Sequence, residues 1–515
     1  SMQGRKHILS FSSIELIILV AAVVKFALHM YIAPGYGLFA DEFYTIALSK
    51  HLAFGYVDLP PLVPALVALS RFLLGESLLA MHVFPALAGS VTLVFICLIT
   101  REFGGKTFAV ALSALGFLIV PIWLSLDSIF CYDSIDQMIL AGFLFVLVRF
   151  LRTGDRRLWI VLGTIAGIAC NAKMTILFLG PGFLLALLLS KYRRDLLTRW
   201  PWLGAALCLI LVTPYLLWQV ANDWPTLEYW IKYGTLRLYE ASLLQYLMSL
   251  LYYMNPLLLP LWIAGLYRIF RPIDGVHYGF LGWMFLFTLT LMFQLHAAAR
   301  MLPELFIPLL AAGAVFMEER FVRTKWMIPF RAVASVYLLV GGILVVPLSL
   351  PILPFDQALA LVEKYKYLYP SIKEFNGSTI SAVEILAGRI GWDKSVREVA
   401  RVYDGLPAEE RTVAGIYTDV YPDAGAIDEL GPQYGLPHVV SGHLTYYLWG
   451  PGYSWDIMII VTGKANHMSI FFDECELKSV IENEQNSFML SHYIFVCRKP
   501  KVPAEAIWSS MQSFR

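Results

Sequence analysis

Apolar blocks of roughly 20 residues, the length that an α-helix needs to cross the hydrocarbon core of a bilayer, recur along the first two thirds of the chain. Short polar loops separate these blocks. The pattern predicts about 11 membrane spans, and up to about 13 if shorter apolar runs also cross. The predicted spans are centred on residues 13–33, 78–100, 107–126, 134–150, 158–171, 174–190, 200–220, 245–267, 279–295, 301–317 and 332–352. We therefore expect a polytopic α-helical membrane protein.

The amino-acid composition supports this class. Hydrophobic residues make up 58% of the 515 residues and charged residues 15%, with a mean hydropathy of +0.65. A soluble domain carries about 25% charged residues. The formal net charge of +1 leaves no basic surface of the kind that binds nucleic acid, so that class of partner is excluded.

The loops between the predicted spans differ in their content of basic residues. One set of loops carries most of them: Arg5, Lys6, Arg101, Lys106, Arg149, Arg152, Arg156, Arg157, Lys191, Arg193, Arg194, Arg199, Arg268, Arg271, Arg320, Arg323, Lys325 and Arg331. The opposite set carries Lys50, Arg71, Lys173, Lys232, Arg237 and Arg300. Because basic loops tend to stay in the cytoplasm, the second set is predicted to face outward.

The apolar stretch PPLVPALVALSRFLLG (60–75) tests this orientation. If it crossed the membrane, every later loop would change sides and the asymmetry would invert. It is short and rich in proline, so we predict an amphipathic helix along the outer interface, within a long outer loop at 34–77.

The character of the chain changes near residue 353. Residues 353–515 alternate β-like runs such as WDIMIIVTG with helix-like runs such as SVREVARVYDGL. We predict two domains, a membrane domain at 8–352 and an extracytoplasmic α/β domain at 353–515. Cys475 and Cys497 lie in the second domain and could pair if it faces an oxidising compartment.

The predicted outer side collects an unusual number of polar side chains. The first outer loop supplies Asp41, Glu42, Tyr44 and Asp58; the later ones supply Tyr132, Asp133, Asp136, Lys173, Lys232, Arg237, His296 and Arg300. The structural alternatives are that Asp127 and Asp136 cap a helix and that the aromatic residues near Trp230 form an interfacial belt. Lys25, inside the first span, needs a buried partner or a path to water.

Carboxylates and cations at an outer membrane surface suit group transfer from a lipid-borne donor. Cations bind the donor phosphate, and a carboxylate acts as the base for an acceptor hydroxyl. Two alternatives remain open: a transporter or flippase for a lipid-linked sugar, and an oligosaccharyl or O-antigen transferase. No metal ligands are assigned, although paired carboxylates could hold a divalent cation.

The chain resembles the bacterial members of the protein mannosyltransferase and aminoarabinose transferase superfamily, which are integral membrane glycosyltransferases of the GT-C fold. The pieces that carry this resemblance run in order along almost the whole chain: ADEFYTIALS, YVDLPPLVPAL, CYDSIDQMILAGF, YLLWQVANDWPTLEYW, YYMNPLLLPLWIAGL, HAAARMLPELFIPLL and LPHVVSGHLTYYLWGPG.

The resemblance implies an inverting glycosyltransferase that takes a sugar from a polyprenyl-phosphate donor, in the bacterial inner membrane with its active site facing the periplasm. It makes Asp41 the catalytic base, with Glu42 beside it, and maps the carboxylate of the second loop to Asp133. Aminoarabinose transferases carry a Glu-Lys pair before the paired prolines, where this chain has Asp58 and Leu59. We therefore expect other cations to bind the phosphate, and name Lys173, Arg237 and Arg300. The acceptor group is expected to be a hydroxyl or a phosphate; whether it belongs to a lipid, a glycan or a protein is not specified.

Overall fold

A computed structural model of the chain describes residues 12–234, 239–375, 377–464, 468–482, 486, 488–489 and 492–514. Up to residue 349 the described chain is almost entirely helical. Its α-helices are α1 Ser13–Ile32, α2 Ala40–Ser49, α3 Leu62–Leu74, α4 Leu78–Glu102, α5 Thr107–Phe117, α6 Pro121–Leu126, α7 Tyr132–Thr153, α8 Leu158–Ala172, α9 Thr175–Leu189, α10 Arg199–Ala221, α11 Pro225–Gly234, α12 Leu243–Tyr253, α13 Leu259–Ile269, α14 Gly279–Gln294, α15 Ile307–Met317 and α16 Met327–Ser349.

Every predicted span contains at least one helix, so the prediction of a polytopic helical fold is confirmed. Among the described residues, five helices are long and apolar enough to cross a membrane, or up to seven if each of two bent pairs forms one span. Shorter apolar helices, among them α5, α8 and α14, account for further predicted spans. The predicted span 107–126 is broken into α5 and α6, because Pro121 cannot continue the helix that ends before it.

The outer loop at 34–77 folds into α2 and α3, and α3 is the helix predicted at 60–75. The prolines before Leu62 precede its first turn, and Gly75 ends it with a φ of +85° that favours glycine. The connection between these two helices is held against α2, since the Tyr56 hydroxyl donates to the carbonyls of Leu48 and His51 (both 3.3 Å).

Ion pairs join the basic loops at one end of the helix bundle. Arg152 pairs with Glu102 (2.7 Å), Arg156 with Asp195 (2.9 Å), and Arg268 binds Glu319 through two nitrogens. These loops lie at the end of α4 opposite to the 34–77 loop. These loops therefore lie together at one end of the bundle, as predicted, whereas Arg5 and Lys6 of the same set lie outside the described residues. The grouping of all the loops into two sides, and the compartment on each side, stay predictions.

Close helix packing relies on glycine at two crossings. A Cβ on Gly163 of α8 would lie 2.1 Å from the carbonyl oxygen of Gly204 on α10, and one on Gly265 of α13 would lie 1.9 Å from that of Leu309 on α15. Small residues let membrane helices approach until their backbones touch.

An ion pair is buried inside the bundle, between the first span and the end of α6. Lys25 Nζ lies 2.7 Å from Asp127 Oδ2, and neither side chain has any exposed surface. Gln137 donates to Asp127 Oδ1 (3.2 Å), and His29 lies 3.3 Å from the Lys25 amine. Lys25 thus has the buried partner that its position required, and Asp127 binds this lysine instead of capping α7.

The remainder of the chain forms an α/β unit, as predicted. Its helices are α17 Phe355–Lys364, α18 Glu384–Ala387, α19 Trp392–Asp404, α20 Ala408–Arg411, α21 Tyr421–Leu430, α22 Thr445–Leu448 and α23 Ala504–Ser510. Its strands are β1 Ile372–Lys373, β2 Thr379–Ile380, β3 Gly415–Thr418, β4 Val439–Ser441, β5 Ile457–Thr462, β6 Phe472–Ile481 and β7 His492–Pro500.

Five of these strands form one mixed sheet in the order β4-β3-β5-β7-β6. The strands β4, β3 and β5 run parallel, and β5, β7 and β6 run antiparallel. The central strands β3 and β5 are almost completely buried because α19 and α21 pack on one face of the sheet and α23 packs on the other. Burial on both faces suits their largely apolar sequences. Helix α21 packs directly on α2, so this unit lies against the 34–77 loop.

A disulfide joins Cys475 on β6 to Cys497 on β7, as the sequence allowed. Removing both cysteines by substitution to serine should lower the free energy of unfolding of this unit by about 2–4 kcal/mol, because the cross-link restricts the unfolded chain. Thermal unfolding with and without dithiothreitol measures the effect. The Tm of the wild-type protein should fall on reduction, and that of the double variant should not move. A wild-type Tm that ignores the reductant would contradict the cross-link.

Candidate active site

The first turn of α2 carries both acidic residues of the outer loop, but they point to different partners. Glu42 is fully buried: its carboxylate accepts the backbone N–H groups of Phe39 (2.8 Å) and Phe130 (2.7 Å), and His82 Nε2 lies 2.9 Å from it. Burial alone would raise the pKa of Glu42. The charges of His82 and Arg389 outweigh this effect and hold the pKa below its usual range. Glu42 therefore fixes α2 to its neighbours. It lines neither of the cavities described next, and its predicted catalytic role stays a prediction.

Asp41, one residue earlier, lines a cavity that is described below. Tyr421 donates its hydroxyl to Asp41 Oδ1 (2.7 Å). Burial raises the pKa of Asp41 to about 6. The nearby Asp133 charge also raises this pKa, whereas the Tyr421 hydrogen bond lowers it. A carboxylate with this pKa is ionised at neutral pH and is basic enough to accept a proton.

Two cavities meet beside Asp41. The larger has a volume of about 710 Å³ and is lined mainly by apolar side chains of α6 and α16 and of residues 368–385, with Asp41 in its wall. The smaller has a volume of about 190 Å³ and is lined by Asp58, Lys173 and aromatic residues of α11. Tyr132, Asp133 and Arg300 line both, so they stand at the junction.

Each charged group at the junction has an ionic partner. Lys173 pairs with Asp133 and lies 5.1 Å from the centre of the Tyr132 ring. Burial alone would lower the pKa of Lys173, but the charges of Asp133 and Asp136 raise it above its usual value. Arg300 pairs with Glu374 (2.5 Å), a residue of the C-terminal unit. Both cations are therefore charged at any physiological pH, and both reach the smaller cavity.

Asp58 lines the smaller cavity and is held by Tyr44. The Tyr44 hydroxyl donates to Asp58 Oδ1 (2.7 Å) and accepts the backbone N–H of Thr445 (3.3 Å). Burial raises the pKa of Asp58 to about 7, although the hydrogen bond from Tyr44 lowers it. Tyr44 itself is only 2% exposed and lines neither cavity, and its predicted contact with substrate stays a prediction.

Three more predicted residues lie away from the junction. Asp136 is buried inside α7 rather than capping it, and its charge acts on Lys173 from outside the cavities. Lys232 pairs with Glu228 one helical turn away (2.5 Å), and His296 lies 3.3 Å from Glu240. Neither Lys232 nor His296 lines the two cavities, and their predicted contact with substrate stays a prediction. Arg237 lies outside the described residues.

Sequence reasoning missed several residues of the site. Tyr421 and Glu374 bind Asp41 and Arg300 from the C-terminal unit, and Glu304 is a buried carboxylate near Lys173. Arg389 donates to the carbonyl and hydroxyl of Ser128 (both 2.7 Å), just ahead of the Asp133 helix. Of these residues, only Glu304 could have been noticed in the sequence, because it is an acidic residue within an apolar span. The others come from a region with no marked charge pattern.

The possibility of a divalent cation was left open by the sequence. Within the described ranges, no group of three or more His, Cys, Asp and Glu side chains is arranged to hold a metal ion. Asp41 and Glu42, the adjacent carboxylates, have diverging partners and do not share a binding site.

Two of three comparisons with known proteins give matches. Residues 58–218 match the family model described as dolichyl-phosphate-mannose-protein mannosyltransferase. Among curated proteins, no sequence matches the chain. The fold is similar to that of ArnT from Cupriavidus metallidurans bound to undecaprenyl phosphate, with 14% identity, a TM-score of 0.56 and coverage of 93% of this chain and 97% of that one. The apo structure of the same ArnT matches with 13% identity and the same TM-score and coverage.

At this level of identity the structural likeness defines the fold, and the family model adds a sequence match over the segment that contains Asp58, Asp133 and Lys173. The fold that the sequence resemblance implied is thereby confirmed: the chain has the GT-C fold of ArnT, and its residues 58–218 match the mannosyltransferase family model.

Proposed function

We propose that the protein is an inverting glycosyltransferase that moves one sugar from a polyprenyl-phosphate donor to an acceptor hydroxyl. The observation that carries this proposal is the junction itself: a carboxylate of raised pKa, Asp41, lies in the wall of an apolar cavity where two cations and a second, smaller cavity meet. A base, a phosphate site and a sugar site are the three parts that this reaction needs.

The larger cavity suits the lipid part of the donor. Ile122, Leu126, Leu344 and Leu348 present apolar surface from α6 and α16, helices of the membrane domain. Burial of isoprene units against such a wall is favourable because it removes apolar surface from water. The similar ArnT structure was determined with undecaprenyl phosphate bound, which supports a lipid of this class.

The cations at the junction suit the phosphate. Arg300 lines both cavities, and Lys173 lines the smaller one. A guanidinium can bind two phosphate oxygens at once, and an ammonium adds a compact charge. These two residues replace the lysine that aminoarabinose transferases carry where this chain has Leu59.

The smaller cavity suits a single sugar ring. Tyr229, Trp230 and Tyr233 offer aromatic faces for the apolar face of a sugar, and Asp58 offers a carboxylate for its hydroxyl groups. Its volume of about 190 Å³ is small beside the 710 Å³ of the larger cavity. The size of the cavity therefore favours a monosaccharide donor over the oligosaccharide transfer considered above.

The reaction follows from this placement. Asp41 takes the proton of the acceptor hydroxyl, whose oxygen forms a bond to the anomeric carbon from the face opposite the phosphate. The bond between that carbon and the phosphate oxygen breaks, and its electron pair leaves with the lipid phosphate. Arg300 and Lys173 stabilise the charge that grows on the leaving phosphate. Configuration at the anomeric carbon inverts.

We place this site on the extracytoplasmic face of the inner membrane. The junction lies at the end of the bundle opposite the basic loops, which favours the outer side. The Cys475–Cys497 disulfide, in the unit that packs on α2, also favours an oxidising compartment.

A screen of undecaprenyl-phosphate monosaccharides against envelope lipid and polysaccharide fractions tests the function. Mass spectrometry should detect undecaprenyl phosphate and a glycosylated acceptor formed together for at least one donor. Movement of donor across proteoliposomes without either product would instead assign the cavity to a flippase.

Replacing either junction cation by glutamine should weaken undecaprenyl phosphate binding about 10- to 100-fold, because each removes a charged hydrogen-bond donor to the phosphate. Binding of undecaprenyl phosphate to Arg300→Gln and Lys173→Gln can be measured by native mass spectrometry in nanodiscs. Lys50→Gln is the matched control, since Lys50 pairs with Glu429 on the same side of the protein but outside the cavities. Unchanged affinity in both test variants would contradict the phosphate site.

A further inference from the structure

The C-terminal unit is pressed against the helix that carries Asp41. Helix α21 meets α2 at Gly425, where an added Cβ would lie 2.7 Å from the carbonyl carbon and 2.8 Å from the carbonyl oxygen of Phe43. Val57 donates its backbone N–H to the hydroxyl of Thr445 (3.0 Å), so the rest of the outer loop is held by the same unit. The two parts of the protein therefore share one contact surface around the catalytic loop.

Tyr421, the first residue of α21, reaches through this surface to Asp41. Its hydroxyl donates to Asp41 Oδ1 (2.7 Å), and among the described residues it is the only hydrogen-bond donor to that carboxylate. Its ring lies against Tyr44 (4.6 Å between centroids), and its backbone N–H donates to Nδ1 of His443 (3.1 Å). Ring and backbone are thus fixed independently of the bond to Asp41.

We propose that Tyr421 is a positioning residue for the base: its hydroxyl holds one oxygen of Asp41, so that the second oxygen faces the acceptor at the junction. The proposal rests on the proposed function and extends it, because it makes the extramembrane unit a working part of the active site.

The bond should also act on the charge of Asp41. A hydrogen bond to the ionised form stabilises that form and lowers the pKa of the carboxyl. Burial and the neighbouring Asp41 charge raise the pKa of Tyr421 itself, so its hydroxyl stays protonated and remains a donor across the working range. Loss of the hydroxyl should therefore raise the pKa of Asp41 further, and a better donor should lower it.

The test is the pH profile of transfer by Tyr421→Phe, with the donor and acceptor found in the screen above. At neutral pH kcat should fall about 10- to 100-fold, with KM for the donor unchanged, because the bond acts on the base alone. The acidic limb of the profile should move to higher pH. Tyr434→Phe is the matched control: it removes a tyrosine hydroxyl bound to Asp393 (2.6 Å) in the same unit and should leave the profile in place.

Incorporation of 3-fluorotyrosine at position 421 provides a second variant that keeps the shape of the side chain. The fluorinated phenol is a stronger donor, so the acidic limb should move to lower pH than in the wild type. An acidic limb that stays in place in both variants, while the wild type transfers sugar, would overturn the role of Tyr421 and leave the proposed function standing. Absence of transfer by the wild type itself would overturn both.

Discussion

Replacing Asp41 by asparagine should lower kcat for sugar transfer about 10²- to 10⁴-fold, the contribution that a general base makes to proton transfer. Asparagine keeps an oxygen that can accept the Tyr421 hydrogen bond, so the loop should stay folded. What it lacks is a group that can accept the proton of the acceptor hydroxyl. The measurement is kcat in a purified assay, with thermal unfolding to confirm that the variant is folded.

The pH dependence of the wild type belongs to the same prediction. Since the ionised carboxylate is the reactive form and the pKa of Asp41 is raised to about 6, activity should rise as pH increases through 6 and level off above it. Asp428→Asn is the matched control, because Asp428 also accepts a tyrosine hydroxyl (Tyr446, 2.9 Å) but lies outside both cavities. Near-wild-type transfer by Asp41→Asn would remove Asp41 from the mechanism.

The second large effect concerns stability and arises inside the bundle. Lys25→Met should lower the free energy of unfolding by about 3–5 kcal/mol, because it leaves the carboxylate of Asp127 buried without its counter-ion. Asp127 has little freedom to move away, since a Cβ on Gly89 would already lie 2.3 Å from its Oδ2. Thermal unfolding in a fixed detergent, or resistance to heat-induced aggregation, measures the loss.

A double variant separates the ion pair from packing. Lys25→Met combined with Asp127→Leu removes both charges, and it should recover much of the stability that the single variant loses. If the single variant were as stable as the wild type, or if the double variant lost the sum of both single effects, Lys25 and Asp127 would not act as a pair. Transfer activity is a useful second reading, because α6, which ends at Asp127, lines both cavities.

The sequence predicted the layout of the protein well because that layout follows from simple physical limits. A bilayer demands long apolar helices, and the distribution of basic residues separates the two ends. Together these placed Asp41, Asp133, Lys173 and Arg300 on one side, and the structure brings all four to the two cavities. The alternation of short strands and helices after residue 353 was enough to predict an α/β unit.

Neighbouring residues on a helix could not be distinguished in the same way. Asp41 and Glu42 differ by one position, and the packing of α2 against α4 and α21 decides which carboxylate faces the cavity. Tyr44 was expected to contact substrate, and its hydroxyl donates to Asp58. Lys232 and His296 were expected at the site because their loops are on the correct side, but neither lines the two cavities, since a shared side does not imply a shared pocket.

Contacts over a long sequence separation were the least accessible. Tyr421 and Asp41 are 380 positions apart, and Glu374 and Arg300 are 74 apart. The position of Lys25 inside an apolar span predicted a buried partner, but Asp127 could equally have been a helix cap. Such pairings depend on how the helices cross, and hydropathy carries no information on that.

The central claim is that the junction of the two cavities binds a lipid phosphate beside the base, and a structure with undecaprenyl phosphate tests it most directly. Cryo-electron microscopy of the protein in nanodiscs with this lipid should show isoprene density in the larger cavity. Its phosphate should lie within about 4 Å of a nitrogen of Arg300 or Lys173, on the same wall as Asp41. A phosphate bound at the opposite end of the bundle, among the basic loops, would contradict the proposed site and its chemistry.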